Sequence, residues 1–146
     1  MMSTIKSLWR NWRRSSLYLS KLGKRGYLMD NTPASGAMKM YVMVDKSLPP
    51  IHAGIQSLHS SVELVYNHIS NPKVSEWAST HKTVVLIGAD NTEMVLMMNY
   101  FTTLGKVYSS FREPDLDNLL TAIAFEPLTE LEAETIFPKD KFRLYR

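Results

Sequence analysis

The sequence predicts a single small α/β domain at residues 38–146, in which helices flank a mixed four-stranded sheet. Short, β-branched apolar runs alternate with longer stretches of helical periodicity, in the order strand, helix, strand, helix, strand, strand. Turn-forming and helix-capping residues separate these segments. The 146 residues, 45% hydrophobic and 21% charged, have the size and composition of one globular domain.

The first strand and the helix after it carry the most informative pattern. The run KMYVMV predicts a strand that ends at Asp45 and the turn SLPP, and a helix then runs from Pro50 to about Ser70. At about 100° per residue, we expect one apolar stripe of this helix to face the core, formed by Ile51, Ile55, Leu58, Val62, Val65 and Ile69. Beside it lies a stripe of hydrogen-bonding side chains, His52, Gln56, His59 and Glu63.

The remaining elements follow from similar signals. KVSEWAST predicts a short helical turn and KTVVLIG a second strand. The pair Asp90 and Glu93 resembles a capping box that opens a helix, and Gly105 stands where that helix should end. KVYSSF and LLTAIAF predict two further strands around the polar loop REPDLDN, TELEAETIF predicts a short capped helix, and KFRLYR a last extended segment.

The net charge of +3 is unevenly distributed along the chain. Residues 1–28 contain seven Lys or Arg and no acid, whereas residues 29–146 contain ten against fourteen acids, which gives −4. We interpret residues 1–37 as a basic extension and linker, with several roles open: a transit peptide, an amphipathic surface helix, an RNA-binding arm, a disordered extension, or sequence upstream of a later start. Within it, aromatic side chains between arginines could stack on unpaired bases: Trp9, Trp12 and Tyr18.

Several classes of protein and site are disfavoured by what the sequence lacks. No apolar run approaches the roughly 18 residues of a membrane-spanning helix. The absence of cysteine excludes disulfides and thiolate chemistry and suits the cytoplasm, or an organelle if the tail is a transit peptide. No G-x-S-x-G elbow, dinucleotide fingerprint or P-loop is present. Too few ligands accompany His59 and Glu63 for a metal centre, so we expect neither metal nor cofactor.

The remaining candidates are polar groups that could converge on a substrate. His52 and Gln56 lie near the start of the first helix, and the loop before the last strand holds Arg112, Glu113, Asp115 and Asp117. Strand ends and helix starts are the usual positions of sites in α/β proteins. Alternatively, the acidic loop is only solvated and His59 is a core histidine satisfied by a backbone carbonyl.

These residues give the chain a resemblance to a known family. The strand MYVMV, the turn, and a helix with the spacing His-x-x-x-Gln-x-x-His resemble the second, archaeal and eukaryotic, class of peptidyl-tRNA hydrolase, whose helix bears Lys-x-x-x-Gln-x-x-His. The resemblance continues to the last strand, TAIAFEP, which in the family starts at a threonine and ends in Gly-Pro. It covers roughly residues 38–146.

The resemblance implies a site without metal or cofactor. Gln56, His59 and Thr121 match family positions directly, whereas Glu113 stands where the family has an aspartate and His52 where it has a lysine. A histidine is largely neutral at pH 7 unless a carboxylate raises its pKa. We therefore expect a His52–Glu113 pair to replace the lysine–aspartate pair.

The resemblance also implies an activity, which is hydrolysis of the ester between a peptide and tRNA. Gln56 would position the water or the ester, His52 and Glu113 would share proton transfer, and Thr121 would orient them. His59 and the cations Lys46, Lys106 and Arg112 would contact peptidyl-tRNA or tRNA. The alternative is an inactive descendant that binds tRNA or a protein, and the sequence leaves the oligomeric state open, a homodimer included.

Overall fold

The computed structural model describes residues 37–146, which contain one four-stranded mixed sheet. The sheet has the order β2-β1-β4-β3, with β1 parallel to β2 and β4 antiparallel to both β1 and β3. The strands are β1 (Met40–Asp45), β2 (Val84–Ala89), β3 (Tyr108–Glu113) and β4 (Leu119–Phe125). Helices flank this sheet, so the predicted α/β class is confirmed.

The helices begin and end close to the predicted positions. They are α1 (Pro50–His68), α2 (Pro72–Ser79), α3 (Asn91–Thr103) and α4 (Glu130–Ile136), with a single 3-10 turn at Pro114–Leu116. Capping boxes open α3, through Asp90 and Glu93, and α4, through Thr129 and Glu132. Gly105 follows α3 with a φ of +65°, as a left-handed terminator requires.

Each face of the sheet is covered by two helices. On one face, Met40, Val42 and Ala122 pack with Leu64 of α1 and Trp77 of α2. On the other face the contacts are aromatic: the rings of Phe101 in α3 and Phe125 lie 4.3 Å apart, and those of Tyr41 and Phe137 5.0 Å apart. The core of residues 37–146 therefore has two layers, one on each face of the sheet.

The orientation of α1 differs from the prediction. Its predicted core stripe is on the outside: Ile51 is 72% exposed, Leu58 63% and Val62 59%. The residues that α1 buries are Ala53, Gln56, Ser57, Ser60 and Leu64. Small side chains let α1 lie close to the sheet, which explains why the inner face is less apolar than the outer one. Within residues 37–146, no helix has the length and apolarity needed to cross a membrane.

The predicted last segment lies beside β2. The backbone N–H of Tyr145 donates to the carbonyl of Leu86 at 2.9 Å, and the backbone N–H of Gly88 donates to the carbonyl of Arg143 at 3.3 Å. An antiparallel bridge pairs Leu144 with Ile87. This extended segment covers the free edge of β2.

The two edges of the sheet carry different polar groups. Because β1, β2 and β3 point the same way, their carboxyl ends lie at the same end of the sheet. We call this end the carboxyl edge, and α1, α3 and β4 begin there. At the opposite edge, Lys106 lies 3.2 Å from Glu126 and 3.0 Å from Glu132, and Lys73 lies 2.6 Å from Glu132. Burial opposes ionisation of Glu132, but its hydrogen bonds to Lys73 and to the Thr129 N–H, and the charge of Lys106, outweigh burial and lower its pKa to about 2.

Candidate functional site

A chain of side-chain hydrogen bonds joins α1 to β4 and β3 at the carboxyl edge of the sheet. The Thr121 hydroxyl donates to Gln56 Oε1 at 2.6 Å, and Gln56 Nε2 donates to Glu113 Oε2 at 2.5 Å. Thr121 is fully buried, Gln56 is 7% exposed, and Glu113 is half-buried. These hydrogen bonds therefore connect a buried hydroxyl in the core to a carboxylate that solvent reaches.

Thr121 reaches Gln56 because β4 contains a bulge. Phe111 pairs with Ala122, but the next residue, Arg112, pairs with Leu120, so Thr121 is an extra residue in β4. In regular alternation, Thr121 would point away from the face that Ala122 occupies. The bulge turns the Thr121 hydroxyl towards α1, and bulges are a common means of re-aiming a side chain beside a site.

The three groups fix the orientation of the Gln56 amide. An ionised carboxylate only accepts hydrogen bonds, so the amide NH₂ must face Glu113 and the carbonyl must face Thr121. The amide is thereby held in one rotamer at the margin of the core. The other carboxylate oxygen, Glu113 Oε1, accepts no hydrogen bond from any residue in the range 37–146.

His52 does not form the expected pair with Glu113. It lies on the exposed side of the first turns of α1, one turn before Gln56, and within residues 37–146 no hydrogen bond or ion pair joins the two side chains. The reason is that the Glu113 carboxylate is turned towards the Gln56 amide instead. His52 remains near the cluster, since residues four apart on a helix lie about 6 Å apart at Cβ.

His59 is a surface residue, so its interpretation as a core histidine is wrong. Its ring stacks on Phe111 of β3, with centroids 4.5 Å apart and planes inclined by 17°. This contact holds α1 against the edge strand two residues before Glu113. Phe111 was not among the predicted site residues, because an aromatic residue in a strand gives no signal that separates a support from ordinary core.

The three predicted cations occupy different environments. Lys46 follows β1 at the carboxyl edge, where its amine lies 3.7 Å from Asp90 in an exposed ion pair. The Arg112 guanidinium is exposed and donates to the Asn118 carbonyl at 3.2 Å. Lys106 lies at the other end of β3 and is held by Glu126 and Glu132. Lys106 is therefore separated from Gln56 by the length of the strand, and its ion pairs hold the opposite end of the sheet together.

A basic pocket lies at the same edge of the sheet as Gln56. Its volume is about 330 Å³, and it is lined by Lys46, Lys141, Arg143 and Arg146, with Glu93 as an acid. Lys141, Arg143 and Arg146 were not predicted as site residues, because the sequence of the final segment gives no sign that it returns to β2. The pocket lies against β2, and three strand spacings, or about 14 Å, separate β2 from β3.

No cluster of three metal-ligating side chains occurs in the part of the chain that the structure describes. No protein-family model matches the chain, and no curated protein matches it significantly. The assignment of a function therefore depends on the geometry above and on the resemblance in residues 38–146.

Proposed function

We propose that this domain hydrolyses the ester between a peptide, or an N-blocked amino acid, and tRNA, and so releases free tRNA. The hydrogen-bond chain Thr121–Gln56–Glu113 carries the proposal. It combines two residues that match the family with a carboxylate at the family's aspartate position. It lies at the carboxyl edge of the sheet, where α/β proteins usually bind ligands.

In this proposal Glu113 acts as the general base. Its free oxygen takes a proton from a water while the water oxygen attacks the ester carbonyl, which forms a C–O bond and a tetrahedral oxyanion. The bond to the ribose oxygen then breaks, and the ribose oxygen takes a proton back from Glu113 or from His52. No covalent enzyme intermediate and no redox step is required.

Gln56 orients Glu113 and offers a second amide hydrogen to the substrate. Only one N–H of its amide is used by Glu113. The other can donate to the oxyanion, and a donor placed in this way strengthens as charge develops. Thr121 acts as a positioning residue, because it fixes the direction of the amide through the carbonyl.

The basic pocket supports an RNA substrate. Residues 29–146 are net acidic by four charges, so phosphates need a local cluster of cations. Lys46, Lys141, Arg143 and Arg146 provide such a cluster at the same end of the strands as Glu113, but beside β2, which lies across the sheet from β3. In this arrangement, the acceptor end of tRNA would lie with its phosphates in the pocket and its ester beside Glu113.

The test is release of N-acetyl-amino acid from N-acetyl-aminoacyl-tRNA by the purified full chain. We expect a rate well above that in buffer, and a loss of about 100-fold or more in Gln56→Ala. Asn67→Ala is the matched control, because it removes an exposed amide from the same helix and should leave the rate unchanged. A parent rate equal to that in buffer would reject the proposal.

A second function, binding of tRNA without hydrolysis, is favoured by one observation. His52 stands where the family has lysine, and it is exposed and not paired with Glu113. If the chain binds deacylated and N-acetyl-aminoacyl-tRNA equally well but releases nothing, this binding-module function replaces the first.

A further inference from the structure

The outer face of α1 is more apolar than the face that it buries. Six large side chains project into solvent, and we call them the α1 stripe: Ile51, Ile55, Leu58, Val62, Tyr66 and Ile69, each between 48% and 82% exposed. Contiguous apolar surface of this kind marks a binding surface in soluble proteins. The stripe lies opposite the buried residues of the helix, so no other element within residues 37–146 covers it.

We propose that the α1 stripe is the interface of a homodimer, in which α1 packs antiparallel against α1 of a second copy. Including the half-buried Val65, the apolar positions follow a 4-3-4-3-4 spacing, which is the a/d pattern of a helix that packs along another helix. This spacing reads the same in both directions. An antiparallel copy therefore places Ile51 opposite Ile69, Ile55 opposite Val65, and Leu58 opposite Val62.

The self-matching order favours a second copy over other occupants. A two-fold axis that passes between Leu58 and Val62 makes every contact occur twice, as an isologous interface requires. The charge of α1 agrees, because its ionisable residues are only three histidines, Glu63 and Tyr66, so few charges need to be brought together. Membrane-surface helices and RNA-binding helices carry Lys or Arg, and α1 has neither.

The area of the α1 stripe sets the expected stability of the dimer. With roughly 80 Å² covered per side chain, six side chains on each of two copies bury on the order of 1,000 Å², which is below the range of about 1,200–2,000 Å² for stable interfaces and is typical of weak ones. The dimer should therefore dissociate on dilution. The site at Gln56 lies on the inner side of α1 and does not depend on the dimer.

Sedimentation of the full chain from low to high micromolar concentration tests the proposal. We expect a monomer–dimer equilibrium whose dissociation constant rises about 10-fold or more in Leu58→Glu. Leu131→Glu is the matched control, because Leu131 is 76% exposed on α4, which covers the other face of the sheet, and this variant should dimerise like the parent. A parent that stays monomeric, or a Leu58→Glu chain that dimerises like the parent, would overturn the proposal.

Two further arms test the partner and the direction. Mixing Leu58→Glu with Val62→Lys should restore a heterodimer, since the new charges face each other. The chain has no cysteine, so an oxidised mixture of Ile51→Cys and Ile69→Cys chains should cross-link, while Ile51→Cys alone should not. Self-cross-linking of Ile51→Cys would overturn the antiparallel direction, and Leu58-dependent binding of anionic lipid vesicles by a monomer would overturn the dimer.

Discussion

At the scale of single residues, the site depends on one buried hydroxyl. Thr121 is fully buried and donates to Gln56 Oε1, so this bond satisfies an amide carbonyl that water does not reach easily. A buried acceptor that loses its donor keeps the whole cost of its desolvation. The orientation of Gln56, and through it that of Glu113, follows from this bond.

We expect Thr121→Val to destabilise the domain by about 1–3 kcal/mol, because it leaves Gln56 Oε1 unpaired at nearly constant volume. Thr121→Ser restores the hydroxyl and should recover most of this loss. Urea denaturation measures both. Equal stability of Thr121→Val and the parent would mean that the bond contributes nothing.

The residue types of the site were predictable, but only some of their contacts were. Gln56, Glu113 and Thr121 were named from motif positions, and the structure brings all three together. No direct His52–Glu113 hydrogen bond occurs within residues 37–146, because Glu113 turns towards Gln56, and spacing along the chain does not tell which partner a carboxylate faces. The bulge that aims Thr121 was also unpredicted, since it breaks the two-residue period from which strands are recognised.

At the scale of elements, α1 shows where hydrophobic periodicity fails. Periodicity locates the most apolar stripe of a helix, and the prediction assumed that this stripe faces the core. In α1 the buried stripe is made of small and polar residues, among them Ala53, Ser57 and Ser60. By contrast, the capping box of α3 and the glycine after it were predicted correctly, because those signals act within one turn of chain.

This packing predicts that a larger apolar residue on the inner face is harmful. Ser60 is fully buried, and its hydroxyl donates to the Ser57 carbonyl. Ser60→Leu should lower the free energy of unfolding by about 1–3 kcal/mol through overpacking. Ser60→Ala, which keeps the volume small, should cost less. If chemical denaturation shows Ser60→Leu to be more stable than the parent, the close approach of α1 to the sheet is wrong.

At the scale of the whole molecule, the two edges of the sheet divide stability from function. The edge with Glu113 carries the candidate chemistry, whereas the opposite edge carries the ion pairs of Lys73, Lys106, Glu126 and Glu132. The class of fold was predictable because each strand and helix has a local signal. The ion-pair edge was not, since its residues are far apart in sequence, and Lys106 was therefore assigned to the substrate.

Acid should weaken this ion-pair edge. The pKa of Glu132 is lowered from its ordinary value of 4.5 to about 2 in the folded chain, so its contribution is complete above pH 4.5 and is lost as the pH falls towards 2. We expect this loss to be about 2–3 kcal/mol. Glu132→Gln keeps a capping side chain but not the charge, and should reduce the slope of stability against pH in that window. Parallel curves for the two chains in thermal unfolding would contradict this assignment.

The most direct test of the proposed chemistry is the rate of N-acetyl-aminoacyl-tRNA hydrolysis by Glu113→Gln. This change keeps the shape of the side chain but removes the base, and we predict a fall of about 100-fold or more with little change in melting temperature. Hydrolysis by Glu113→Gln at the parent rate would contradict the account, because the carboxylate held by Gln56 would then have no part in the reaction.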